Sequence, residues 1–430
     1  MDADWNIVIL VFNAIIWLFS FVIYQCKQRY FGIGSVVLLL YTIISIVAIH
    51  YFFQSNVFDD LDLFPFLYLY GMILIIACPL LNLQENKIKV VQEVNHKIFN
   101  IFLILLIGLS LIGISNFFHD TIQGVISLLV DSDYGKEAYG RGAAAYMQGK
   151  RTSGIGYVSV LSNIAKQMIP IAWMYYMTFR NKNNIILILL TFCLLLSPSV
   201  ALASGSRYAV VIFFMEIGIT FLLLRKHFPR KTYKYIKTFL LLVITFVGIA
   251  FLALTLSRQD SNISSSILSI ERYASESILH FNNHCLDAGG IRYGDKTITL
   301  FKDWLGLNPA RDYFERLSKY SHMTINESLF YTFVGDFTLD FGPILSLFIF
   351  IFISLISIPI LRIRNNCLTF HQYCYICILA FICIGFFQFP FGDIVGNLKM
   401  LTLLLISFGF KCIYDLHKYI HKKRNVTYHI

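Results

Sequence analysis

The chain has 430 residues, of which 57% are hydrophobic and only 14% are charged, and its formal net charge at pH 7 is +10. Apolar runs of about 20 residues recur along it, the length that a helix needs to cross a bilayer, whereas helices of soluble cores are shorter and amphipathic. None of these runs alternates as the strands of a membrane barrel do. The sequence therefore predicts an all-α polytopic membrane protein, with residues 1–430 forming one integral membrane domain.

Eleven membrane spans are predicted from the apolar runs. They cover residues 5–24, 31–53, 63–81, 98–118, 155–179, 184–203, 207–224, 236–256, 333–361, 367–389 and 398–416. The residues before the first span include Asp2 and Asp4, where a secretory leader would be basic. We therefore expect an uncleaved first span.

Lysine and arginine predict the orientation of the spans. They are concentrated in the segments after spans one, three, five, seven and nine and in the C-terminal tail. Such short basic segments lie in the cytoplasm, so we expect an outer N-terminus and a cytoplasmic C-terminus. These anchors account for most of the net positive charge, which favours membrane lipids with anionic headgroups as partners and does not indicate nucleic acid.

Two outer segments are long, residues 119–154 and residues 257–332. Long loops are uncommon unless they are functional, so we expect the chemistry on the outer face.

An arginine stands between two apolar runs in "SPSVALASGSRYAVVIFF". Arg207 is expected at a very short outward turn, where it begins a helix after the small residues Ser204, Gly205 and Ser206. A guanidinium group and the free N–H groups of a helix start can hold an anion together. The alternative is an interfacial arginine that reaches the lipid headgroups.

The first long loop contains "AYGRGAAAYMQGKRTSGIGYVSV". Glycines flank Arg141 and Arg151, and tyrosines are interleaved with them. Glycine permits close approach of the backbone, tyrosine can stack on sugars, and guanidinium groups bind phosphate through two nitrogens. A solvated loop or a headgroup-binding loop explains the same residues. No nucleotide-binding glycine pattern is present.

The second long loop begins near Arg258 and contains a predicted amphipathic helix. Its apolar face comprises Ile267, Ile270, Ala274, Ile278 and Phe281. A second stripe has Arg272, Glu276 and His280 at intervals of four, so one helical turn separates each from the next. This stripe suits phosphate binding and general-base catalysis, but an ordinary solvated face with ion pairing has the same pattern. A shorter helix is predicted in "LNPARDYFERLSKY", with Asn308 as its cap and Pro309 in its first position.

Charged residues also fall within predicted spans. Asp336 and Asp340 are one turn apart and are expected to face an arginine, because two uncompensated carboxylates in lipid are very unfavourable. Glu216 and Lys166 are expected to pair with each other or with the functional site.

Other motifs give little support to a redox centre, a metal site or a serine hydrolase. Cys374 and Cys377 have the spacing of redox motifs but lie in an apolar helix, so we interpret them as core residues. His280 and His284 lack the partners of a zinc site, so no metal is expected. No hydrolase serine motif is present.

The eleven spans, "ASGSRYAVVIFF" after span six, the long outer loop and "SLFYTFVGDFTLDFGPI" together resemble the Wzy-type O-antigen polymerases, which polymerise oligosaccharide repeat units. The resemblance implies a GT-C-like fold shared with the O-antigen ligases, and a location in the bacterial inner membrane. It implies transfer of a growing glycan from undecaprenyl diphosphate to the non-reducing end of an incoming lipid-linked repeat unit at the periplasmic face. Neither a metal nor another cofactor is implied, and a chain-length regulator is an expected partner.

The resemblance also implies roles for individual residues. Arg207 would hold the diphosphate, together with Arg141, Arg151, Arg258 and Arg272. Beyond what the resemblance implies, the acceptor hydroxyl needs a base, and from their residue types we expect Glu276 or His280 in this role, with Asp336 behind them. Some family members have a loop arginine followed eleven positions later by glycine. Here the pair with that spacing is Arg207 and Gly218, inside a span.

Two other functions stay open. A flippase or transporter of lipid-linked oligosaccharide would use Lys166, Glu216 and Asp340 to line a path, but the chain lacks the repeated halves and short loops of most transporters. An O-antigen ligase would have similar arginines.

Overall fold

The computed structural model describes residues 3–55, 57–115, 121–124, 126–127, 156–257, 263–326 and 329–427. In these ranges the longer helices are α1 (Ala3–Gln28), α2 (Ile33–Ser55), α3 (Leu63–Leu81), α4 (His96–Ser115), α5 (Gly156–Met177), α6 (Asn184–Ala203), α7 (Arg207–Leu224), α8 (Arg230–Ser257), α9 (Ile263–His280), α10 (Thr299–Trp304), α11 (Tyr313–Lys319), α12 (Thr332–Leu361), α13 (Phe370–Cys383) and α14 (Asp393–Thr427). A 3₁₀ turn covers Glu85–Lys87 and a π-helical turn Phe281–Cys285. Two short strands, β1 (Val90–Val91) and β2 (Cys367–Leu368), pair in parallel.

Eight helices in the described ranges are long and apolar enough to cross a membrane: α1, α2, α3, α6, α7, α8, α12 and α14. Helices α4 and α13 are apolar but shorter. The prediction of an all-α multi-pass membrane protein is therefore confirmed. Each of the eleven predicted spans overlaps a helix, but their number as spans and their orientation stay predictions.

The short helix α13 forms much of the core. It begins with a reciprocal capping box between Thr369 and Gln372, and 11 of its 14 residues are buried. Tyr373 Oη donates to the carbonyl of Ile171 in α5 at 3.0 Å, so a buried hydroxyl is satisfied across two helices. Cys374 and Cys377 are fully buried and unpaired, as expected for core residues.

Helices α7, α12 and α14 begin at the same end of the bundle, which we call the Arg207 end, because Tyr208 packs on Phe330 and the Asp393 N–H donates to the Lys296 carbonyl at 2.7 Å. Helices α9, α10 and α11 of the second long loop pack there.

The predicted start of α11 was wrong, because the helix is capped by Asp312, whose Oδ1 accepts from the Glu315 N–H at 3.0 Å. Asn308 has left-handed backbone and residues 307–311 form no helix; in this segment the Ala310 N–H donates to Asp295 Oδ2 at 2.9 Å.

A buried ion network fixes the loop to α12. Arg292 Nε lies 2.8 Å from Asp340 Oδ1, and Lys296 Nζ lies 2.8 Å from Asp336 Oδ1. The second Asp340 oxygen accepts from the N–H and the hydroxyl of Thr297, both at 2.7 Å. Arg292 is thus the arginine that the spacing of the two aspartates predicts. Two carboxylates and two cations balance, which explains how all four groups can be buried together.

The network generates a stability prediction. Asp340→Ala leaves Arg292 buried without its closest counterion, so we expect a loss of about 3–5 kcal/mol in the free energy of unfolding. The matched control is Asp303→Ala, because Asp303 pairs with Arg311 at 2.6 Å but that pair is partly exposed to solvent. The control should lose no more than about 1 kcal/mol. Thermal unfolding of detergent-solubilised protein measures both, and equal losses would contradict the role given to the network.

Candidate functional site

The turn before Arg207 is built by a helix-ending motif and a helix-starting cap. The Ser206 N–H donates to the Ala201 carbonyl at 2.8 Å, and the Gly205 N–H donates to the Leu202 carbonyl at 2.9 Å. This pair of bonds is a Schellman motif, and Gly205 supplies the φ of 68° that it requires. Ser206 then caps α7. The chain therefore reverses within three residues and places Arg207 in the first position of α7.

Arg207 is buried against α9, a helix about sixty residues further along the chain. Its Nη1 donates to Ser269 Oγ at 3.0 Å, and its guanidinium carbon lies 4.2 Å from the ring centroid of Tyr273. Only 6% of the residue is exposed. Its Nε has no hydrogen-bond partner among the described residues, nor does any described carboxylate form an ion pair with it. Arg207 is therefore a buried cation whose positive charge is not neutralised by direct contact.

Glu276 lies beside this arginine on α9. Arg272 Nε donates to Glu276 Oε2 at 2.5 Å, and Arg207 lies within electrostatic range of the same carboxylate. Burial raises the pKa of Glu276 above its ordinary value, while Arg272 and Arg207 oppose part of that rise. Arg272 itself is 54% exposed at its side chain. The site thus holds two guanidinium groups, one buried and one accessible, near one carboxyl group.

His280 is one turn further along α9 and is packed among rings. Its ring centroid lies 4.9 Å from that of Phe58 and 5.9 Å from that of His284. Burial, with smaller effects from His284 and Arg272, lowers the pKa of His280 to about 4. The imidazole is therefore neutral at pH 7, and its Nδ1 is buried without a hydrogen-bond partner among the described residues.

Aromatic rings form a wall next to Arg207. Tyr273 lies 6.3 Å from Phe330 and 5.9 Å from Phe387 between centroids, and Tyr208 contacts the same two rings at 6.1 and 5.3 Å. A cation beside aromatic faces suits a ligand that carries both a phosphate and a sugar.

Asp336, the remaining predicted site residue that the structure describes, does not join this group. Asp336 belongs to the buried ion network, where its second oxygen accepts from the Phe389 N–H at 2.7 Å. Arg141, Arg151 and Arg258 lie outside the described residues.

Sequence reasoning missed Ser269 and Tyr273, which hold Arg207. The two residues are four apart on α9, so they share a helical face, and Tyr273 directly follows Arg272. Periodicity could have found this stripe, but nothing in the sequence shows that it meets the start of α7.

The turn generates a prediction. Gly205→Ala places a side chain on left-handed backbone, so we expect a loss of about 1 kcal/mol in the free energy of unfolding and a displaced Arg207. Gly218→Ala is the control, because Gly218 lies within α7 and an added Cβ would meet nothing within 4 Å. Thermal unfolding of both variants checks this, and a Gly205→Ala protein as stable as Gly218→Ala would contradict the assigned turn.

Comparison with protein-family models, curated proteins and solved structures gives no match for the chain.

Proposed function

We propose that the protein is a membrane glycosyltransferase that polymerises lipid-linked oligosaccharide repeat units, as the Wzy-type O-antigen polymerases do. It transfers a growing glycan from undecaprenyl diphosphate to the non-reducing end of a second lipid-linked repeat unit at the periplasmic face of the inner membrane. The reaction uses neither a metal nor a cofactor.

The observation that carries the proposal is the buried Arg207 guanidinium. A cation buried without a paired carboxylate is unfavourable, so the arrangement favours a ligand that brings negative charge. The neighbouring rings suit a sugar, and the apolar surface of the bundle suits a prenyl chain. A lipid diphosphate linked to a sugar contains all three parts.

The chemical step needs a positive charge to stabilise the leaving diphosphate and a base to take the proton of the acceptor hydroxyl. The acceptor hydroxyl oxygen attacks the anomeric carbon of the donor sugar and forms the new C–O bond. The bond from that carbon to the diphosphate oxygen breaks, and its electron pair leaves with the lipid diphosphate. The hydroxyl proton passes to the Glu276 carboxylate. Arg207 and Arg272 stabilise the negative charge that develops on the diphosphate.

Glu276 is a better base than the other predicted residues. A general base works best when its pKa lies near the working pH, and Glu276 has a raised pKa whereas that of His280 falls to about 4. Both Asp336 oxygens already contact a cation or an N–H group. We therefore assign the proton transfer to Glu276, with His280 as part of the surrounding wall.

Arg207→Ala should lower the polymerisation rate by about 10²- to 10³-fold, because it removes an electrostatic donor to the leaving group. The measurement is the chain-length distribution of surface glycan in a deletion strain that carries the variant. Arg225→Ala is a matched control, since Arg225 follows the other end of α7, donates to the Phe31 carbonyl at 2.7 Å and stacks on Tyr30. The control should keep long chains at equal protein levels.

The same strains separate the competing functions. A lost polymerase leaves one repeat unit on lipid A core, whereas a lost flippase or ligase removes the surface glycan altogether. Long chains in Arg207→Ala would overturn the role of Arg207, and complete loss of glycan in the deletion strain would overturn the proposed reaction.

The pH dependence of the reconstituted reaction tests the base. Glu276 acts when deprotonated, so the rate should fall as the pH drops through its raised pKa, at a midpoint above 4.5. His280→Gln should retain this acid limb, because His280 is neutral throughout that range. Glu276→Gln should lose about 10²- to 10⁴-fold in rate and its acid limb. If the rate of His280→Gln no longer fell at low pH while that of Glu276→Gln still did, the base would be His280 and not Glu276.

A further inference from the structure

A cavity of about 850 Å³ lies at the end of the bundle opposite Arg207. Helices α4 and α13 begin beside it, α12 ends beside it and α14 passes it. At about 1.5 Å per residue, its lining residue Phe410 lies roughly 25 Å along α14 from the Arg207 end. We call it the α4–α14 cavity, and its lining includes Ile98, Arg362, Arg364, Phe370, Phe410 and Lys411. The volume is within the range of about 300–1,000 Å³ that is usual for ligand sites.

The turn after α12 brings two arginines to the α4–α14 cavity. Asn365 and Asn366 both have left-handed backbone, with φ of 54° and 55°. The Cys367 N–H donates to the Arg364 carbonyl at 3.1 Å, as in a type I′ turn, where asparagine is favoured at both central positions. Strand β2 follows and pairs with β1, which ties the turn to the segment before α4. Arg362 and Arg364 therefore line the cavity from a fixed turn.

Helix α13 holds its neighbours around the cavity. Gln372 of its capping box donates through Nε2 to the carbonyls of Ile360 and Arg362, at 3.2 and 3.0 Å. Phe370 packs against Phe410 of α14, with ring centroids 4.9 Å apart. All five residues line the cavity, so the contacts that shape it lie in its own wall. Such a preformed site binds a ligand without a large ordering cost.

Positive charge in the α4–α14 cavity exceeds negative charge. Three exposed cations line it, namely Arg362, Arg364 and Lys411. None of them forms an ion pair within the part of the chain that the structure describes. The lining has two carboxylates, Glu93 and Asp415, and Glu93 Oε2 lies 3.3 Å from His96 Nε2. The excess of cations favours an anionic ligand.

Exposed apolar side chains lead from the cavity along the surface of the bundle. On α4 they are Ile98, Ile101 and Leu105. On α12, Leu355 and Ile358 are exposed, and Arg362 continues the same stripe at the end of the helix. Residues three and four apart share a helical face, so each helix presents one apolar stripe that reaches the cavity. A ligand with its charged head in the cavity can therefore lay an acyl chain along these stripes.

The basic tail of this chain does not suit the cavity. Residues 417–430 include four cations and no acidic side chain; the cations are Lys418, Lys422, Lys423 and Arg424. Like charges repel at this range, so the occupant is a separate, anionic molecule.

We propose that the α4–α14 cavity binds an anionic phospholipid, with the headgroup phosphate on Arg362, Arg364 and Lys411 and the acyl chains along α4 and α12. Guanidinium groups bind phosphate oxygens through two nitrogens, and basic pockets between membrane helices recognise such headgroups. All three cations belong to segments whose charge predicts a cytoplasmic location, and that orientation assigns the lipid to the cytoplasmic leaflet. The inference does not depend on the reaction proposed for the Arg207 end.

Native mass spectrometry of the full-length protein in neutral detergent tests the inference. The probe is dioleoyl phosphatidylglycerol, compared with dioleoyl phosphatidylcholine. Wild type should bind phosphatidylglycerol more tightly. The triple variant Arg362→Gln, Arg364→Gln and Lys411→Gln should lose about 10²-fold in affinity for phosphatidylglycerol, because each basic residue near a headgroup contributes about fivefold. Its affinity for phosphatidylcholine should not change.

The matched control removes three charges at the same end of the bundle. Arg230, Lys231 and Lys234 are exposed residues at the start of α8 and do not line the cavity. The variant Arg230→Gln, Lys231→Gln and Lys234→Gln should keep the wild-type affinity. An equal loss in both triple variants would overturn the site, because general attraction between charges would then explain the binding.

A second variant changes the affinity in the opposite direction. Asp415→Asn keeps the shape of an exposed side chain but removes a negative charge from the cavity lining. Binding of phosphatidylglycerol should therefore tighten by about fivefold, the effect of one unit charge near a headgroup. Unchanged or weaker binding in Asp415→Asn would contradict the electrostatic assignment.

Competition identifies the class of ligand. Glycerol 3-phosphate carries the same phosphate without acyl chains, so it should displace phosphatidylglycerol only weakly. Displacement at equal concentrations would assign the cavity to a soluble phosphate, and displacement by a polyglutamate peptide would assign it to an acidic protein segment; either result would overturn the lipid assignment. Wild-type affinity for phosphatidylglycerol in the triple variant of Arg362, Arg364 and Lys411 would overturn the inference and leave the proposed function, which is measured by glycan chain length, intact.

Discussion

Charge in a low-dielectric bundle is the constraint on which the structure depends. At the Arg207 end, Arg292 and Lys296 are buried with Asp336 and Asp340, and each cation lies close to a carboxylate oxygen. Such a balanced network can hold a loop on a helix but has no charge left for a ligand. Arg207 is different, because it forms no ion pair with a carboxylate among the described residues. The distinction between balanced and unbalanced buried charge separates the scaffold from the candidate binding site.

The buried ion network explains how α9, a helix of the second long loop, becomes part of the Arg207 site. The ion network fixes residues 292–297 to α12, and Asp295 gathers Ala310 and Tyr320 onto the same segment. With its C-terminal half buried, α9 presents Ser269, Tyr273 and Glu276 to the start of α7. The Schellman turn at Gly205 fixes that start from the other side. Arg207 is thus held by two elements whose positions are set independently, which favours a preorganised anion site.

The burial of α9 also shapes the chemistry. The same carboxyl group that accepts from Arg272 is shielded from water, so its pKa rises, whereas the neighbouring imidazole of His280 becomes a weaker base. Two residues that are equivalent candidates in sequence therefore differ in basicity. Their surroundings thus favour Glu276 as the base and leave His280 as a neutral packing residue, although both lie on one helical face.

The sequence alone determined the fold class of this protein and the spacing of several charged residues. The long apolar runs predicted an all-α membrane bundle because a backbone in lipid must satisfy its own hydrogen bonds. The spacing of Asp336 and Asp340 predicted a shared cation, and the stripe of Arg272, Glu276 and His280 followed from helical periodicity. Only the tertiary structure decided that Arg292 and Lys296 pair with the two aspartates and that α9 meets Arg207. Those contacts join residues tens of positions apart. Local patterns cannot specify such pairings, because packing and the compensation of buried charge select them across the whole bundle.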